Sequence, residues 1–527
     1  MTLLWSRGRN QVPRVGLAYQ VIPPVKMSKR AAIVWFRRDL RVHDNEALND
    51  ALKHGDEVLP VYIFDPREWR GTLPLTGLPK IGPHRARFIL ESVADLRQNL
   101  RSRGADLIVR IGHPEEVLPE LAKQCRASWV FCNRERTSEE LAVQNAVEQS
   151  LWTIGREVYY SRGKLLYYTS DLPFPITQTP DTFTQFRKET ERITPVREPF
   201  DAPARITYAE TSEIESGEIP TLTDFGMVPP IPDERAAIEW VGGETAGLDR
   251  LAYYLFDSQA ISTYKETRNG LIGSDYSTKF SAWLAQGCLS PKQIYAEVKA
   301  YEAKNGENES TYWVIFELLW RDFFRLMGKK HGDLIFRKNG FREGSHPEWT
   351  KDAGRFQRWV DGQTGTPFVG ASMREIARTG FMSNRGRQNV ASYLVKDLKI
   401  DWRMGAEYFE HILVDYDVTS NWCNWQYVAG VGSDPREDRY FNILSQAERY
   451  DPEGAYVKLW CPELEDLPAE SVHQPETLSD AEQSAHGLRI GANYPNPLIA
   501  SARYRDKPTS TPSVGRRGRG RRSRRTV

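Results

Sequence analysis

Cysteine is scarce in this sequence, and the few that occur form no recognisable group. Five cysteines are spread over 527 residues without a CxxC pair or neighbouring histidines, which argues against a disulfide framework and against a zinc site. No apolar run approaches the roughly 18 residues of a membrane span. We therefore expect an intracellular protein without metal or membrane association, cytoplasmic in a bacterium and in an organelle or the nucleus in a eukaryote.

A dinucleotide-binding motif and a secretory signal are also missing. No GxGxxG motif occurs, so a standard dinucleotide site is not predicted. Residues 1–26 carry four basic side chains, no acid and no long apolar core, which is unlike a secretory signal. Two interpretations of this extension stay open: an organelle transit segment, or residues upstream of a true start at Met27. We favour the second, because the chain from Met27 runs directly into the first predicted strand.

The net charge of +1 conceals an uneven distribution. Residues 501–527 carry ten basic side chains against one acid, and with the basic first 26 residues set aside the remaining body has a net charge of −12. Seven arginines, interrupted by glycines, fall in the last 13 residues. Such a tail is expected to bind the phosphates of DNA or RNA with little sequence selectivity. A nuclear address and a solubilising tail are the alternatives.

Apolar strands alternate with helical segments in the first third of the chain. The sequence predicts strands at 31–36, 57–65, 106–112, 128–133 and 157–160, with helices between them. Buried strands joined by crossover helices indicate a parallel sheet covered on both faces, so residues 27–160 are predicted to form a doubly wound, Rossmann-like α/β domain. Ligands of such sheets bind beyond the carboxyl ends of the strands, here near Asp65-Pro66 and Asn133-Arg134-Glu135.

The rest of the chain has a different character. Residues 161–240 are rich in proline, threonine and acids, which predicts a connector on the surface. From 241 to 462 the pattern is helical with dense aromatic clusters, which predicts an all-α domain. Residues 463–527 lose apolar content and become rich in arginine and glycine from 515, so we expect a disordered basic tail.

Segment 311–327 places polar and aromatic side chains on one face of a predicted helix. Glu317, Trp320, Arg321 and Phe324 are spaced i, i+3, i+4 and i+7. A buried carboxylate and a buried arginine are costly without partners. This face therefore forms either an internal ion pair or the border of a polar ligand, and both interpretations stay open.

Segment 381–398 clusters polar donors at the start of another helix. Such a cluster suits an anionic or heteroaromatic ligand, and a solvated helix start is the alternative. Its members are Asn384, Arg385, Arg387 and Gln388. In segment 412–435, which mixes carboxylates, amides and tryptophans, Asp415 could hold Arg387 as a buried pair.

Segment 274–290 offers hydroxyls and a lysine just before a helix, namely Ser277, Thr278, Lys279 and Ser281. These groups suit a phosphate, although a serine-rich helix cap is the alternative. Each of the four segments is weak evidence alone. Together they predict a pocket for a large, flat, phosphorylated cofactor lined by tryptophans.

The stretch VWFRRDLRVHDNEAL at 34–48 resembles the opening of photolyases and cryptochromes. The four polar segments resemble the FAD-binding blocks of that family in the same order, and the match covers about 31–460. PDTFTQFRKETE at 180–191, Gln388 and Tyr427 are similar to the DASH cryptochrome subgroup. The resemblance implies a monomeric, blue-light-dependent flavoprotein that binds FAD in its helical domain.

The resemblance also implies roles for individual residues around FAD. The phosphates and ribityl chain are matched by Tyr264, Ser277, Thr278, Lys279 and Ser281, and the adenine and isoalloxazine by Asn384, Arg387, Asp415, Asp417 and Asn421. Asn421 is expected to face flavin N5, where asparagine favours the reduced flavin. An electron relay to the photoexcited flavin is matched by Trp425, Trp402 and Trp349, of which Trp425 is nearest the flavin and Trp349 is outermost.

The substrate implied by the resemblance is a cyclobutane pyrimidine dimer in single-stranded DNA. The flipped-out dimer is expected to contact Glu317, Trp320, Asn384, Gln388 and Tyr427, with Glu317, Trp320 and Asn421 as the catalytic residues. The histidine pair of (6-4) photolyases is absent. The alternative is a photoreceptor or transcriptional regulator that binds DNA or RNA with little repair. Glu140 matches an antenna-contacting glutamate, which suggests 5,10-methenyltetrahydrofolate as a second chromophore.

Overall fold

The computed structural model describes residues 30–209, 213–342, 348–434 and 439–505. The N-terminal extension with Met27 and the Arg/Gly-rich end of the tail lie outside these ranges. What the sequence predicts for those two segments therefore stays a prediction.

Five parallel strands form the sheet of the N-terminal domain. They are β1 (Ala31–Phe36), β2 (Glu57–Phe64), β3 (Ile108–Ile111), β4 (Ala127–Asn133) and β5 (Glu157–Ser161), in the order β3-β2-β1-β4-β5. The chain builds outward from β1 to β3 on one side and then returns to add β4 and β5 on the other. This reversal beside β1 is where open α/β sheets bind ligands, and the predicted doubly wound sheet is confirmed.

Five helices cover the two faces of this sheet. They are α1 (Glu46–His54), α2 (Pro66–Trp69), α3 (Pro83–Arg101), α4 (Pro114–Gln124) and α5 (Ser138–Trp152). Side-chain oxygens of Asn45 and Asp65 cap α1 and α2, since a short polar side chain satisfies an unpaired N–H of the first turn. α1, α3, α4 and α5 lie between strands, where the sequence predicts helices, whereas it does not predict the short α2.

The described residues of the connector 161–240 are largely irregular, as predicted, and contain one α-helix, α6 (Phe183–Ile193), with two short 3-10 turns. Phe183 and Phe186 of α6 are buried against the long helix of the second domain. The connector therefore also supplies apolar groups to the second domain.

The second domain is helical throughout. Its helices are α7 (Glu244–Ala252), α8 (Tyr264–Thr267), α9 (Ser281–Gln286), α10 (Pro291–Asn305), α11 (Glu309–His331), α12 (Ala353–Val360), α13 (Pro367–Thr379), α14 (Asn384–Ser392), α15 (Trp402–Ile412), α16 (Val418–Ala429), α17 (Ile443–Tyr450) and α18 (Ala455–Trp460). The predicted all-α domain is confirmed. α11 and α16 pack together, and they carry Glu317, Trp320, Arg321, Asn421, Trp425 and Tyr427.

The prediction that the chain is disordered from 463 is wrong for 463–505. This stretch contains α19 (Asp480–Ala485) and α20 (Ala502–Arg505). Its sparse apolar side chains, including Leu464, Val472 and Tyr504, are buried in the same core as α13 and α15. Low average hydropathy misled the prediction, because a few well-spaced apolar side chains suffice when an existing domain supplies the other half of the core.

Within the described ranges, no helix is long and apolar enough to cross a membrane. No group of three or more His, Cys, Asp or Glu side chains there is arranged as metal ligands would be. The five cysteines are unpaired, and four of them are buried.

Candidate cofactor and substrate pocket

A pocket of about 460 Å³ opens in the helical domain between α8, α9, α11, α14 and α16. The four segments that the sequence singles out converge on it. Of the predicted residues, it is lined by Tyr264, Ser277, Thr278, Lys279, Ser281, Glu317, Trp320, Asn384, Arg387, Gln388, Asp415, Asp417 and Tyr427. The structure therefore brings together side chains that are up to 163 positions apart in the sequence.

Arg387 and Asp415 form the predicted ion pair at one wall of the pocket. Nη2 of Arg387 donates to Oδ2 of Asp415 over 2.8 Å, and its Nε donates to the carbonyl of Met382. The second oxygen of Asp415 is buried and accepts no hydrogen bond from the described residues. Because buried carboxylate oxygens are normally satisfied, this oxygen indicates a ligand that donates a hydrogen bond here.

Lys279 is a further buried charged side chain that lines the pocket, with 2% of its surface exposed. Its Nζ lies 3.0 Å from the ring centroid of Tyr276 and 3.2 Å from Oγ of Ser277, and no described carboxylate lies within ion-pair distance. Burial lowers the pKa of Lys279 well below its usual value. An anionic phosphate would supply the missing counter-charge, so these residues fit the pyrophosphate of FAD.

Asp417 begins a chain of buried ion pairs that leads from the pocket into the N-terminal domain. Its Oδ2 accepts from Nη1 of Arg325 over 2.8 Å, and Nη2 of Arg325 donates to Glu135 over 3.2 Å. Glu135 in turn contacts Lys164. Although burial alone would raise it, the pKa of Asp417 lies well below its usual range because Arg325 and Arg321 adjoin the carboxylate.

The mouth of the pocket is aromatic and polar. Trp320 stacks on Phe183 with centroids 3.7 Å apart, and the Tyr427 ring stands perpendicular to it at 6.1 Å. Glu317 pairs with Arg268, so the face of α11 both holds an ion pair and borders the pocket. Sequence reasoning missed Arg268, although its position one helical turn after Tyr264 is a usable signal.

Arg321, the second charged residue of that face, does not pair with Glu317. Its guanidinium donates to the backbone carbonyls of Lys164 and Leu284 over 2.7 and 3.1 Å. These bonds tie α11 to the start of the connector and to α9. The internal ion pair considered for this face is therefore formed with Arg268 and not within α11.

Asn421 lies in α16 one turn after Asp417 and is 8% exposed. Its side-chain N–H donates to the carbonyl of Ala406 over 2.9 Å, and it is not among the residues that line the pocket. The predicted position of Asn421 beside flavin N5 stays a prediction.

The three tryptophans of the predicted relay lie on packed neighbouring elements. Trp425 and Trp402 belong to α16 and α15, and Trp349 adjoins a backbone bridge between Thr350 and Ile400 just before α15. A Cβ at Gly405 would lie 2.2 Å from Cη2 of Trp425, so only glycine lets α15 approach the indole this closely. Trp349, the predicted outer end, is itself only 6% exposed.

A second cavity, of about 1070 Å³, lies between the carboxyl edge of the sheet and the helical domain. Asp65, Glu135 and Glu140 line it from the N-terminal side, as the rule for ligand sites in open sheets predicts. Oε1 of Glu140 lies 3.3 Å from Nη1 of Arg38, while Oε2 accepts from Oγ1 of Thr137 over 2.8 Å. Glu140 therefore also holds the start of α5.

Two family models match this chain. One described as DNA photolyase matches residues 32–204, and one described as the FAD binding domain of DNA photolyase matches residues 313–511. Cryptochrome DASH of Gloeobacter violaceus is 52% identical over 473 residues, which cover 90% of this chain and 94% of the relative. The chain belongs to the photolyase family, in its DASH cryptochrome group.

Solved structures of a cryptochrome and of a photolyase are similar to this chain. The crystal structure of a Synechocystis cryptochrome is 46% identical, with a TM-score of 0.86 over 90% of this chain and 97% of that one. A bacterial class III photolyase from Agrobacterium tumefaciens is 30% identical, with a TM-score of 0.79 over 92% and 97%. The predicted family and FAD as a cofactor are confirmed, and the roles of individual residues stay predictions.

Proposed function

We propose that this protein is a blue-light-driven photolyase that splits cyclobutane pyrimidine dimers in single-stranded DNA. When bound and reduced, FAD would supply, on excitation by light, the electron that opens the cyclobutane ring. The electron would then return to the flavin. The observation that carries the proposal is one pocket lined both by buried charged groups and by half-buried aromatic and acidic groups. We assign the buried Lys279 and Asp415 to a cofactor end, and the half-buried Glu317, Trp320 and Tyr427 to a mouth.

The mouth suits a pair of flipped bases. Trp320 offers an indole face, and the perpendicular Tyr427 ring offers a second, smaller surface on which a base can stack. Glu317 can accept a hydrogen bond from a base edge once the base reaches it. Arg268, which pairs with Glu317, holds this carboxylate in place beside the pocket.

Single-stranded DNA suits this mouth better than duplex DNA. Extruding a dimer from a duplex costs a few kcal/mol of stacking and pairing energy, which strong contacts must offset. Here the Tyr427 hydroxyl already accepts a hydrogen bond from Nη2 of Arg439 over 2.9 Å, and the same guanidinium lies over the Tyr427 ring. Gln388 is likewise bonded to Arg385. Fewer free groups remain to stabilise an extruded dimer, whereas a single strand avoids the cost.

The cofactor end would hold FAD through its own charges. Lys279 with Ser277, Thr278 and Ser281 would bind the phosphates, and Asp415 would accept a hydrogen bond from the ring system while Arg387 fixes its orientation. Trp425, Trp402 and Trp349 would pass electrons inward to keep the cofactor reduced. Dividing one long electron transfer into shorter hops is the physical reason for such a relay.

The second cavity would hold an antenna chromophore, for which we propose 5,10-methenyltetrahydrofolate. Its volume of about 1070 Å³ is large enough for a drug-sized ligand. Arg38, Glu140 and Glu407 offer paired polar contacts on its walls. The cavity adjoins the loop that carries Asp415 and Asp417, so a chromophore there would lie close to the flavin.

A photoreceptor or regulator that binds DNA or RNA is the second candidate function. The seven arginines of the last 13 residues favour it, since such a tail binds nucleic acid in a strongly salt-dependent manner. Deleting residues 506–527 separates the repair function from this second candidate function. Repair should survive the deletion, whereas dark binding to RNA or DNA should be lost if the tail carries the second function.

The experiment that tests the proposal compares two variants. Glu317→Gln should lose most repair of a thymine dimer while FAD stays bound and photoreduces normally. Trp349→Phe should photoreduce more slowly than the unaltered protein but repair at the normal rate once FAD has been reduced chemically. Equal loss of both activities in both variants would contradict the division of the pocket into a lesion end and a cofactor end.

A further inference from the structure

Trp422 is a buried tryptophan that the predicted relay does not use. Its ring meets the ring of Trp402, the middle member of the relay, with centroids 5.8 Å apart and planes at 78°. The same indole lines the cavity of about 1070 Å³ between the two domains. Trp422 therefore joins the relay to a cavity on the far side of α16 from the FAD pocket.

Tyr416 contacts Trp422 and lies beside it on the wall of the cavity. Its neighbours in sequence, Asp415 and Asp417, line the FAD pocket, while Tyr416 itself lines the cavity. Nε1 of Trp422 donates to the Tyr416 oxygen over 3.3 Å and to Oε2 of Glu410 over 3.2 Å. The short loop 413–417 thus separates the two cavities, and redox-active side chains lie on its cavity side.

Glu410 completes the group. The hydroxyl of Tyr416 donates to Oε2 of Glu410 over 2.6 Å, within the range for direct proton transfer. A phenol that loses an electron becomes strongly acidic, so its oxidation is favourable only where a base can take the proton. Arg85, whose Cζ lies 4.6 Å from the Tyr416 ring centroid, disfavours a positively charged ring and so favours oxidation with proton loss.

We propose that Trp422 and Tyr416 form a second exit of the electron relay, which leads from Trp402 into the cavity between the domains with Glu410 as the proton acceptor. The proposal rests on the proposed function, because the oxidant is the photoexcited flavin. Trp402, having passed one electron inward through Trp425, is refilled by Trp422, and Trp422 is refilled by Tyr416.

The step balances in electrons and protons. One electron leaves Tyr416 for the relay, and its phenolic proton moves along the existing hydrogen bond to the carboxylate of Glu410. The products on this side are a neutral tyrosyl radical and a protonated Glu410. A small thiol that enters the cavity then gives one electron and one proton to the tyrosyl oxygen, which restores the tyrosine and leaves a thiyl radical. Two such thiyl radicals couple to a disulfide, and Glu410 releases its proton to water.

Radical spectroscopy on FAD-loaded protein tests this second exit, called the branch below. Samples are illuminated and frozen, and their electron paramagnetic resonance spectra are recorded with and without ring-deuterated tyrosine. Trp349→Phe, which closes the outer exit, should keep a radical whose spectrum narrows on deuteration. Adding Tyr416→Phe, which removes a single hydroxyl, should abolish that narrowing. Glu410→Gln should do the same, because the amide cannot take the proton.

Two further variants complete the design. Trp422→Phe in the Trp349→Phe background should reduce light-driven flavin reduction to the level of Trp402→Phe. Trp69→Phe, which removes a buried indole of the N-terminal domain packed against Phe64 and Phe225, should leave the radicals unchanged. FAD content and circular dichroism confirm that each variant is folded.

The outcomes distinguish the branch from the proposed function. If Trp349→Phe abolishes every protein radical while the unaltered protein photoreduces, the branch is wrong and the three-tryptophan relay stands. A tyrosyl signal that persists in Tyr416→Phe also overturns the branch. If the unaltered protein shows no light-driven flavin reduction at all, the relay and its branch are both wrong.

Discussion

Arg325 holds the two domains together by bridging Asp417 of the helical domain and Glu135 of the N-terminal domain. The side chains of all three are at most 8% exposed. Removing one partner of a buried ion pair costs about 3–5 kcal/mol, because it leaves an uncompensated charge in the protein interior. We therefore expect Arg325→Met to lower the free energy of unfolding by roughly this amount, since Lys164 still neutralises Glu135 and only Asp417 loses its counter-charge.

Urea unfolding of FAD-loaded protein, followed by tryptophan fluorescence, measures the effect. Arg355→Met is the matched control, since Arg355 pairs with Asp352 at the surface, where both side chains are almost half exposed. That change should cost about 0.5 kcal/mol or less.

A second substitution sharpens the test. Asp417→Asn removes the orphaned charge but keeps an oxygen that can accept from the N–H of Ser420 at the start of α16. Arg325→Met with Asp417→Asn should therefore be more stable than Arg325→Met alone. If the two changes add independently, or if Arg325→Met behaves like the surface control, the buried chain does not contribute as argued.

Three other perturbations follow from single residues. Burial raises the pKa of Glu375, which accepts from the Tyr456 hydroxyl, to about 7. The folded protein therefore keeps a proton that the unfolded chain loses above about pH 4.3. Because of Glu375, the free energy of unfolding should fall by about 3 kcal/mol as the pH rises from 4.3 to 7. Glu375→Gln should remove this pH dependence of stability, measured by urea unfolding at each pH. An unchanged slope would show that Glu375 ionises normally. Gly405→Ala places a methyl group 2.2 Å from Trp425, so we expect the free energy of unfolding to fall by about 1–3 kcal/mol and photoreduction to weaken. If neither the stability nor the photoreduction changes, the close packing of α15 on Trp425 is refuted. Lys279→Met should weaken FAD binding about 10- to 100-fold, as expected for a lost charge-assisted hydrogen bond, in fluorescence titrations of FAD-free protein. An unaltered affinity for FAD would show that Lys279 does not bind its phosphates.

The α/β domain could be predicted because its signals are local. Strands such as 31–36 and 57–64 are apolar runs, and α1 begins at Asn45, whose side chain caps it. Parallel pairing follows from the alternation alone. Most pocket residues could be placed for a different reason, because four motifs in a fixed order resemble those of one family.

The features that sequence reasoning missed depend on distant partners. Arg325 meets Glu135 across 190 positions, and nothing near either residue signals the pairing. Arg268 and Glu317 pair between two helices in the same way. The few apolar side chains of residues 463–505 predict a disordered tail, whereas the surface that buries Leu464 and Tyr504 belongs to helices far upstream.

The most direct measurement is the loss of a cyclobutane thymine dimer from a single-stranded oligonucleotide, under blue light, with purified protein whose FAD has been reduced beforehand. A dark sample and the same dimer in a matched duplex are run alongside. We expect light-dependent repair of the single strand, with little repair of the duplex. No repair of the single strand, with FAD bound and fully reduced, would contradict the assignment of this pocket as a photolyase site.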